Sequence, residues 1–245
     1  MDRPLSEVSY DGFTDDPDRL GVEVPGTPPP LGHLVEPDEQ PAVAVDAPGD
    51  REPLVWLAHR RIRTLGCYWH VGWSAARPDT LLRSGAAARL GEVADALPEP
   101  FGLAVFDAWR PLALQAELWH AAYDDHLVPP GFVADPDPDP ARPPAHLTGG
   151  TVDLTLTWHG RPLALGSPFD AFDDRAVTSG HEDRPGRVRD LRRLLVGAMA
   201  GAGFVVLDLE WWHFEWGTRR WAALRDDVPR YGPARPGPGP REGVS

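Results

Sequence analysis

The chain contains no lysine and no asparagine, so all 24 of its basic residues are arginine. Without lysine there can be no Schiff-base or pyridoxal-phosphate chemistry on a side chain of this protein, and no Walker-type phosphate loop. Without asparagine a Cys-His-Asn thiol protease is excluded. One cysteine, Cys67, rules out an intrachain disulfide framework and a Cys-rich zinc module. It reads as a small buried side chain, because the sequence indicates no separate His–acid partner for it. No run of about 18 apolar residues exists, so no membrane span is expected. The opening Met1-Asp2-Arg3-Pro4 lacks the basic-then-apolar pattern of an export signal. With a single thiol, that points to the cytoplasm. A formal charge of −13 makes nucleic acid a poor partner.

What the chain does contain is 29 proline and 10 tryptophan residues within 245, with 42% hydrophobic content. That suits one soluble domain with a sizeable core and few long helices. Residues 1–51 are rich in proline and acid (Pro28-Pro29-Pro30, Glu36-Pro37-Asp38-Glu39), without a sustained hydrophobic period. They are expected to carry too little apolar surface to offset backbone entropy. Residues 232–245 read as a flexible Pro/Gly tail. The folded unit is then 52–231.

Within it, Thr80 to Leu97 reads as a helix with Asp79 capping its first turn. Leu103 to Phe106 reads as a buried strand ending near Asp107. Pro111 fits the first turn of a helix with Leu114, Leu118, Ala121 and Ala122 on one face. The stretch 129–145 is a proline-laden loop. Thr151 to Thr157 alternates, with Val152, Leu154 and Leu156 on one face and Asp153 among threonines on the other. Val188, Leu191, Leu194, Leu195 and Ala198 mark a helix stopped by Gly201 and Gly203. Phe204 to Leu209 and Trp211 to Trp216 read as strands. The class is α+β: a small, mostly antiparallel sheet packed with helices, disordered-looking at both ends.

Three segments offer chemistry. His146-Leu-Thr-Gly149-Gly-Thr-Val-Asp153 puts a loop histidine before a carboxylate on the polar face of a strand, with glycines that permit a tight turn. Glu210-Trp-Trp-His213 offers a third ligand and a base, the makings of a two-His, one-carboxylate catalytic zinc site. In a regular strand 210 and 213 face opposite ways, so Glu210 must sit at the strand entrance or on a bulge. Taken alone, this stretch reads first as a Trp-rich core strand with a satisfied histidine. Asp107-Ala-Trp-Arg110-Pro111 places an arginine at a strand-to-helix junction, able to face an oxyanion or to form a plain surface pair with Asp107.

Together these segments resemble the VanX-type D-alanyl-D-alanine dipeptidases of the zinc D-Ala-D-Ala peptidase group. That family carries D-x-Y-R-P, S-x-H-x-x-G-x-A-x-D, a G-T-x-F-D-like segment and E-x-W-H in this order. Here they read Asp107 to Pro111, His146 to Asp153, Gly166-Ser167-Pro168-Phe169-Asp170 and Glu210 to His213. The resemblance implies one zinc ion held by His146, Asp153 and His213. It also implies Glu210 as catalytic base, Arg110 as oxyanion stabiliser, Asp170 on the substrate ammonium, and a small D,D-dipeptide as substrate. Departures are Pro144 for the family serine, Thr151 for its alanine and Trp109 for its tyrosine. The Asn-containing pocket strand has no match; Ile62 to Trp73 stands there instead.

Four other readings use the same letters. A D,D-carboxypeptidase acting on peptidoglycan stems would share the zinc site, and a non-catalytic zinc module of this fold would lose Glu210 or Arg110. A di-iron bundle would pair Glu117-x-x-His120 with Glu210-x-x-His213, but it needs four long helices. His181, Glu182 and Asp183 could form a second metal cluster or a solvated loop.

Overall fold

At the centre of the molecule lies the alternating segment, strand β5 (Thr151–Trp158), buried on both faces except at Trp158. The computed structural model describes residues 8–123, 128 and 132–237. Before β5 come β1 (Leu54–Trp56), β2 (Ile62–Thr64), α1 (Cys67–Val71), β3 (Leu81–Arg83), α2 (Ser84–Ala96), β4 (Phe101–Asp107) and α3 (Leu112–Tyr123). After it come β6 (Arg161–Pro162), α4 (Arg187–Gly201), β7 (Val205–Leu207), β8 (Glu210–Glu215) and α5 (Arg219–Arg225). The main sheet runs β2-β4-β5-β8-β7, with β6 also on β5; among the described strands β2 and β4 pair in parallel and the rest antiparallel. β1 and β3 form a separate antiparallel pair. This is the expected α+β arrangement.

The helices form where apolar side chains recur at helical spacing. α2 buries Ala86, Leu90, Val93 and Ala94, and α4 buries Leu191, Leu195 and Met199. Arg192, one residue off that stripe, is also buried, and its guanidinium serves backbone carbonyls of Leu165, Arg175 and Val177. Pro111 immediately precedes α3, whose Leu114, Leu118 and Ala122 face inward.

One expectation is corrected. The helix expected from Thr80 starts at Ser84, because Leu81–Arg83 pairs with β1 as strand β3. Asp79 caps nothing there and instead accepts from Arg77 at 2.9 Å. A fully apolar Leu81-Leu82 pair is as compatible with a strand as with a helix, and the tertiary partner decides. The described parts of the two ends pack against this body. Residues 8–50 form little regular structure beyond one 3-10 turn, Asp11–Phe13, yet Tyr10, Val22, Val43 and Ala47 are buried. They form a strap over the body: Tyr10 packs edge-on against Tyr68 and Phe169, and its hydroxyl accepts from Trp73. At the other end Ala234 is buried, its carbonyl accepting from Trp109 Nε1. The expectations for residues 1–7 and 238–245 lie outside the described residues.

Candidate active site

Strands β5 and β8 pair so that Asp153 and His213 are direct cross-strand neighbours, the closest approach a sheet provides for two side chains. His146 comes from a 3-10 turn, Ala145–Thr148, ended by Gly149 at a φ of 74°, the left-handed conformation that glycine adopts without strain. That turn folds His146 back onto the same strand. Asp153 Oδ2 lies 3.3 Å from His146 Nε2, and Oδ1 lies 3.1 Å from His213 Nδ1. The ligand atoms of all three residues fall within 4.8 Å of one another, and all three side chains are buried.

Glu210 joins them as the sequence required, at the entrance of β8. It pairs with Leu207, and the β7–β8 register shifts between Val206 and Leu207. The irregularity brings Glu210 Oε2 within 3.6 Å of His213 Nδ1 despite the odd spacing. Burial pushes the Glu210 carboxyl up to about 7, against the opposing pull of His213.

Both imidazoles are held from behind. His146 Nδ1 sits 2.7 Å from the carbonyl of Ala108, and His213 Nε2 sits 3.1 Å from Glu215 Oε1. Each outer nitrogen thereby carries a proton, and His146 Nε2 and His213 Nδ1, the two nitrogens that face Asp153, are the atoms a metal ion would take, displacing the second proton of His213. Two imidazole lone pairs and one carboxylate suit a zinc ion with a position left for substrate. Burial opposes charge on His213, but its bonds to Asp153 and Glu215 outweigh this, pushing it up to about 10.

Arg110 is no surface pair. It is 7% exposed, donating through Nε to Asp107, through Nη1 to Gln115 and through Nη2 to the Tyr68 hydroxyl, at 2.9, 2.9 and 3.2 Å. Burial alone would weaken its charge, but Tyr68, Asp107, Asp153 and Asp170 raise its hold on the proton. The Tyr68 hydroxyl donates in turn to Asp170 Oδ2 at 2.8 Å. Burial, reinforced by Glu210, pushes Asp170 well above the usual carboxylate range although Arg110 pulls against it. Gly166 to Asp170 thus delivers its carboxylate to the same cavity of about 440 Å³ that His146, Asp153, His213, Glu210 and Arg110 line. That volume falls in the usual range for small-molecule sites.

Tyr68, Gln115 and Glu215 escaped the sequence reading. Tyr68 lies in the unmatched stretch 62–73, so nothing local pointed to it. Gln115 left a faint signal as a polar residue beside the apolar stripe of α3. Elsewhere Glu117 accepts from Ser74 and Ala75, and His120 is exposed, which removes the di-iron arrangement. Glu182 is engaged by Arg193. Cys67 is fully buried and free, with burial raising its thiol well above the ordinary range.

The chain is similar to known dipeptidases. A family model described as D-ala-D-ala dipeptidase matches residues 79–230. The chain is 38% identical over 114 residues to a D-alanyl-D-alanine dipeptidase of Escherichia coli strain K12, covering 46% of this chain and 54% of that protein. It is 26% identical over 221 residues to a D-alanyl-D-alanine dipeptidase of a Synechocystis species, covering 75% of this chain and 89% of that one. The aligned part of the chain thus spans about half the length of the first relative and most of the second. With the match running from before β3 to beyond α5, the chain belongs to the M15 D-Ala-D-Ala dipeptidase family of metallopeptidases.

Proposed function

We propose that this protein is a zinc-dependent dipeptidase that hydrolyses D-alanyl-D-alanine to two D-alanine molecules. The observation that carries the reading is the convergence of two imidazoles and an aspartate beside a buried glutamate and a buried arginine in one cavity. One zinc ion per chain would be held by His146 Nε2, Asp153 and His213 Nδ1, supplying Lewis acidity to the scissile carbonyl and to the attacking water.

The protein's own groups do the rest. Glu210, poised near neutrality, takes a proton from the water as its oxygen bonds to the carbonyl carbon. It returns that proton to the departing amine as the C–N bond breaks. Arg110, locked by Asp107, Gln115 and Tyr68, presents a fixed guanidinium to the oxyanion as charge develops, with no reorganisation needed at that moment. Asp170 takes the substrate's free ammonium, with Tyr68 steadying its other side. An arriving ammonium favours the ionised carboxylate that burial disfavours, so the site rewards a substrate with a free amino end. Retention of both Glu210 and Arg110 weighs against a non-catalytic zinc module.

No helix among the described residues is long and apolar enough to cross a membrane. A cytoplasmic address, meeting free dipeptide rather than peptidoglycan stems, belongs to the same reading. The test is hydrolysis of D-Ala-D-Ala, L-Ala-L-Ala and an N-blocked D-Ala-D-Ala, before and after chelation and zinc return. Zinc-dependent cleavage of the first alone is expected. Cleavage of the blocked analogue at a similar rate would favour the D,D-carboxypeptidase, and no cleavage of any would reject catalysis.

A further inference from the structure

We propose that Glu36, on the N-terminal strap, is a positioning residue for this catalytic centre. The inference rests on the zinc dipeptidase reading above. Glu36 lies 184 residues before Arg220, yet its carboxylate clasps that guanidinium through two bonds, from Nε at 2.8 Å and Nη2 at 2.7 Å. Its Oε1 also accepts the backbone N–H of Asp208 at 3.1 Å, in the two-residue turn that leads into Glu210. One side chain of the strap therefore touches both the turn before the base and the arginine behind a metal ligand.

Arg220 is 5% exposed and gives Nη2 also to the carbonyl of Val206 at 2.7 Å. Its Nη1 is buried, has no hydrogen-bond partner, and stands 4.0 Å from Glu215 Oε1. That same oxygen holds His213 Nε2 at 3.1 Å, while the second oxygen of Glu215 accepts from Thr218 Oγ1. Arg220 Nη1 stands near Glu215 Oε1 without taking that oxygen from the imidazole. The two-point clasp on Glu36 sets that distance. Without it, a buried guanidinium is left short of its counter-charge and moves onto the nearest carboxylate, Glu215. Oε1 is then shared between Arg220 and His213, and the imidazole loses the partner that fixes its tautomer and direction. The turn at Asp208 loses an acceptor as well, slackening the approach of Glu210.

The experiment uses the full chain, stripped of metal and titrated with zinc by calorimetry, followed by kcat and KM at saturating zinc. Glu36→Ala is expected to weaken zinc binding about tenfold, the lower end of what outer-shell changes cost. It should also lower kcat about tenfold with KM within about twofold, since small misplacements of reacting groups act on turnover. Glu36→Gln, which keeps one acceptor oxygen and loses the other together with the charge, should fall between. A folded Glu36→Ala protein with wild-type zinc affinity and kcat overturns the inference, as does a loss confined to thermal stability. Should Glu36→Ala not fold, Arg220→Lys carries the test. An ammonium cannot span both Glu36 oxygens and the Val206 carbonyl, so it should show the same zinc loss, and unchanged affinity overturns the inference. Wild-type protein that neither binds zinc nor cleaves the dipeptide rejects the underlying function instead, which keeps the two failures apart.

Discussion

Replacing Glu210 by glutamine separates catalysis from stability in a way few other substitutions here could. The side chain keeps its volume, but it loses both its charge and its basicity. Taking the carboxyl from 4.5 to about 7 makes the ionised form ~3 kcal/mol less favourable in the folded, metal-free protein than in the unfolded chain. The folded protein therefore binds this proton more tightly than the unfolded one. Its advantage is intact below the unfolded value of 4.5 and is lost as pH rises to and through about 7. Glutamine carries no such dependence. Metal-free Glu210→Gln should match the wild type at about pH 4 and exceed it by up to ~3 kcal/mol at about pH 8. Bound zinc offsets the carboxylate's charge, so the gain should shrink in the loaded protein. Turnover should meanwhile fall by ~10²–10⁴-fold, or about 3–5 kcal/mol in barrier height. Urea unfolding at the two pH values, with and without zinc, and steady-state hydrolysis of D-Ala-D-Ala read both effects. A variant that is no more stable at about pH 8, or that retains wild-type turnover, would refute the account of Glu210.

His213→Ala should lose stoichiometric zinc and all activity together, measured by metal analysis and hydrolysis; zinc retained at one per chain would reject the ligand assignment. Arg110→Lys keeps the charge but cannot reach Asp107, Gln115 and Tyr68 at once, so kcat should drop ~10²–10³-fold while zinc content stays unchanged. Asp170→Asn should reduce kcat/KM for the free dipeptide by ~10–100-fold, the worth of one charge-assisted hydrogen bond. The N-blocked analogue should be hardly affected, and an equal loss on both substrates would show that Asp170 does not bind the ammonium. Because Glu210 must be ionised to act, kcat/KM should fall on the acid side. Zinc's charge should place that fall below the value of about 7 found without it.

Much of this site is written locally. The alternation from Thr151 to Thr157 follows from side chains pointing to opposite faces every second residue, and it correctly puts Asp153 opposite the apolar set. The spacing of Glu210 and His213 even announced its own difficulty: a place at the strand entrance or a bulge was required, and Glu210 opens β8 where the β7–β8 register shifts. The donor types of His146, Asp153, His213, Glu210, Arg110 and Asp170, in order, sufficed to suggest the chemistry. Local pattern could not tell whether Leu81 and Leu82 begin a helix or form a strand, since two adjacent leucines fit either, and only pairing with Leu54–Trp56 settled it.

What the tertiary structure alone decided is which groups surround those six. Tyr68 between Arg110 and Asp170, Glu215 behind His213, and Glu36 on Arg220 all rest on pairings with no period. The strap shows why most plainly. Its proline and acid content gave no sign of packing, because its few buried side chains are spread too far apart to form a pattern. Secondary structure is set by neighbours along the chain and leaves a rhythm in it. Contacts between distant segments depend on the shape of the surface already folded, and nothing in the order of residues 8–50 encodes that surface.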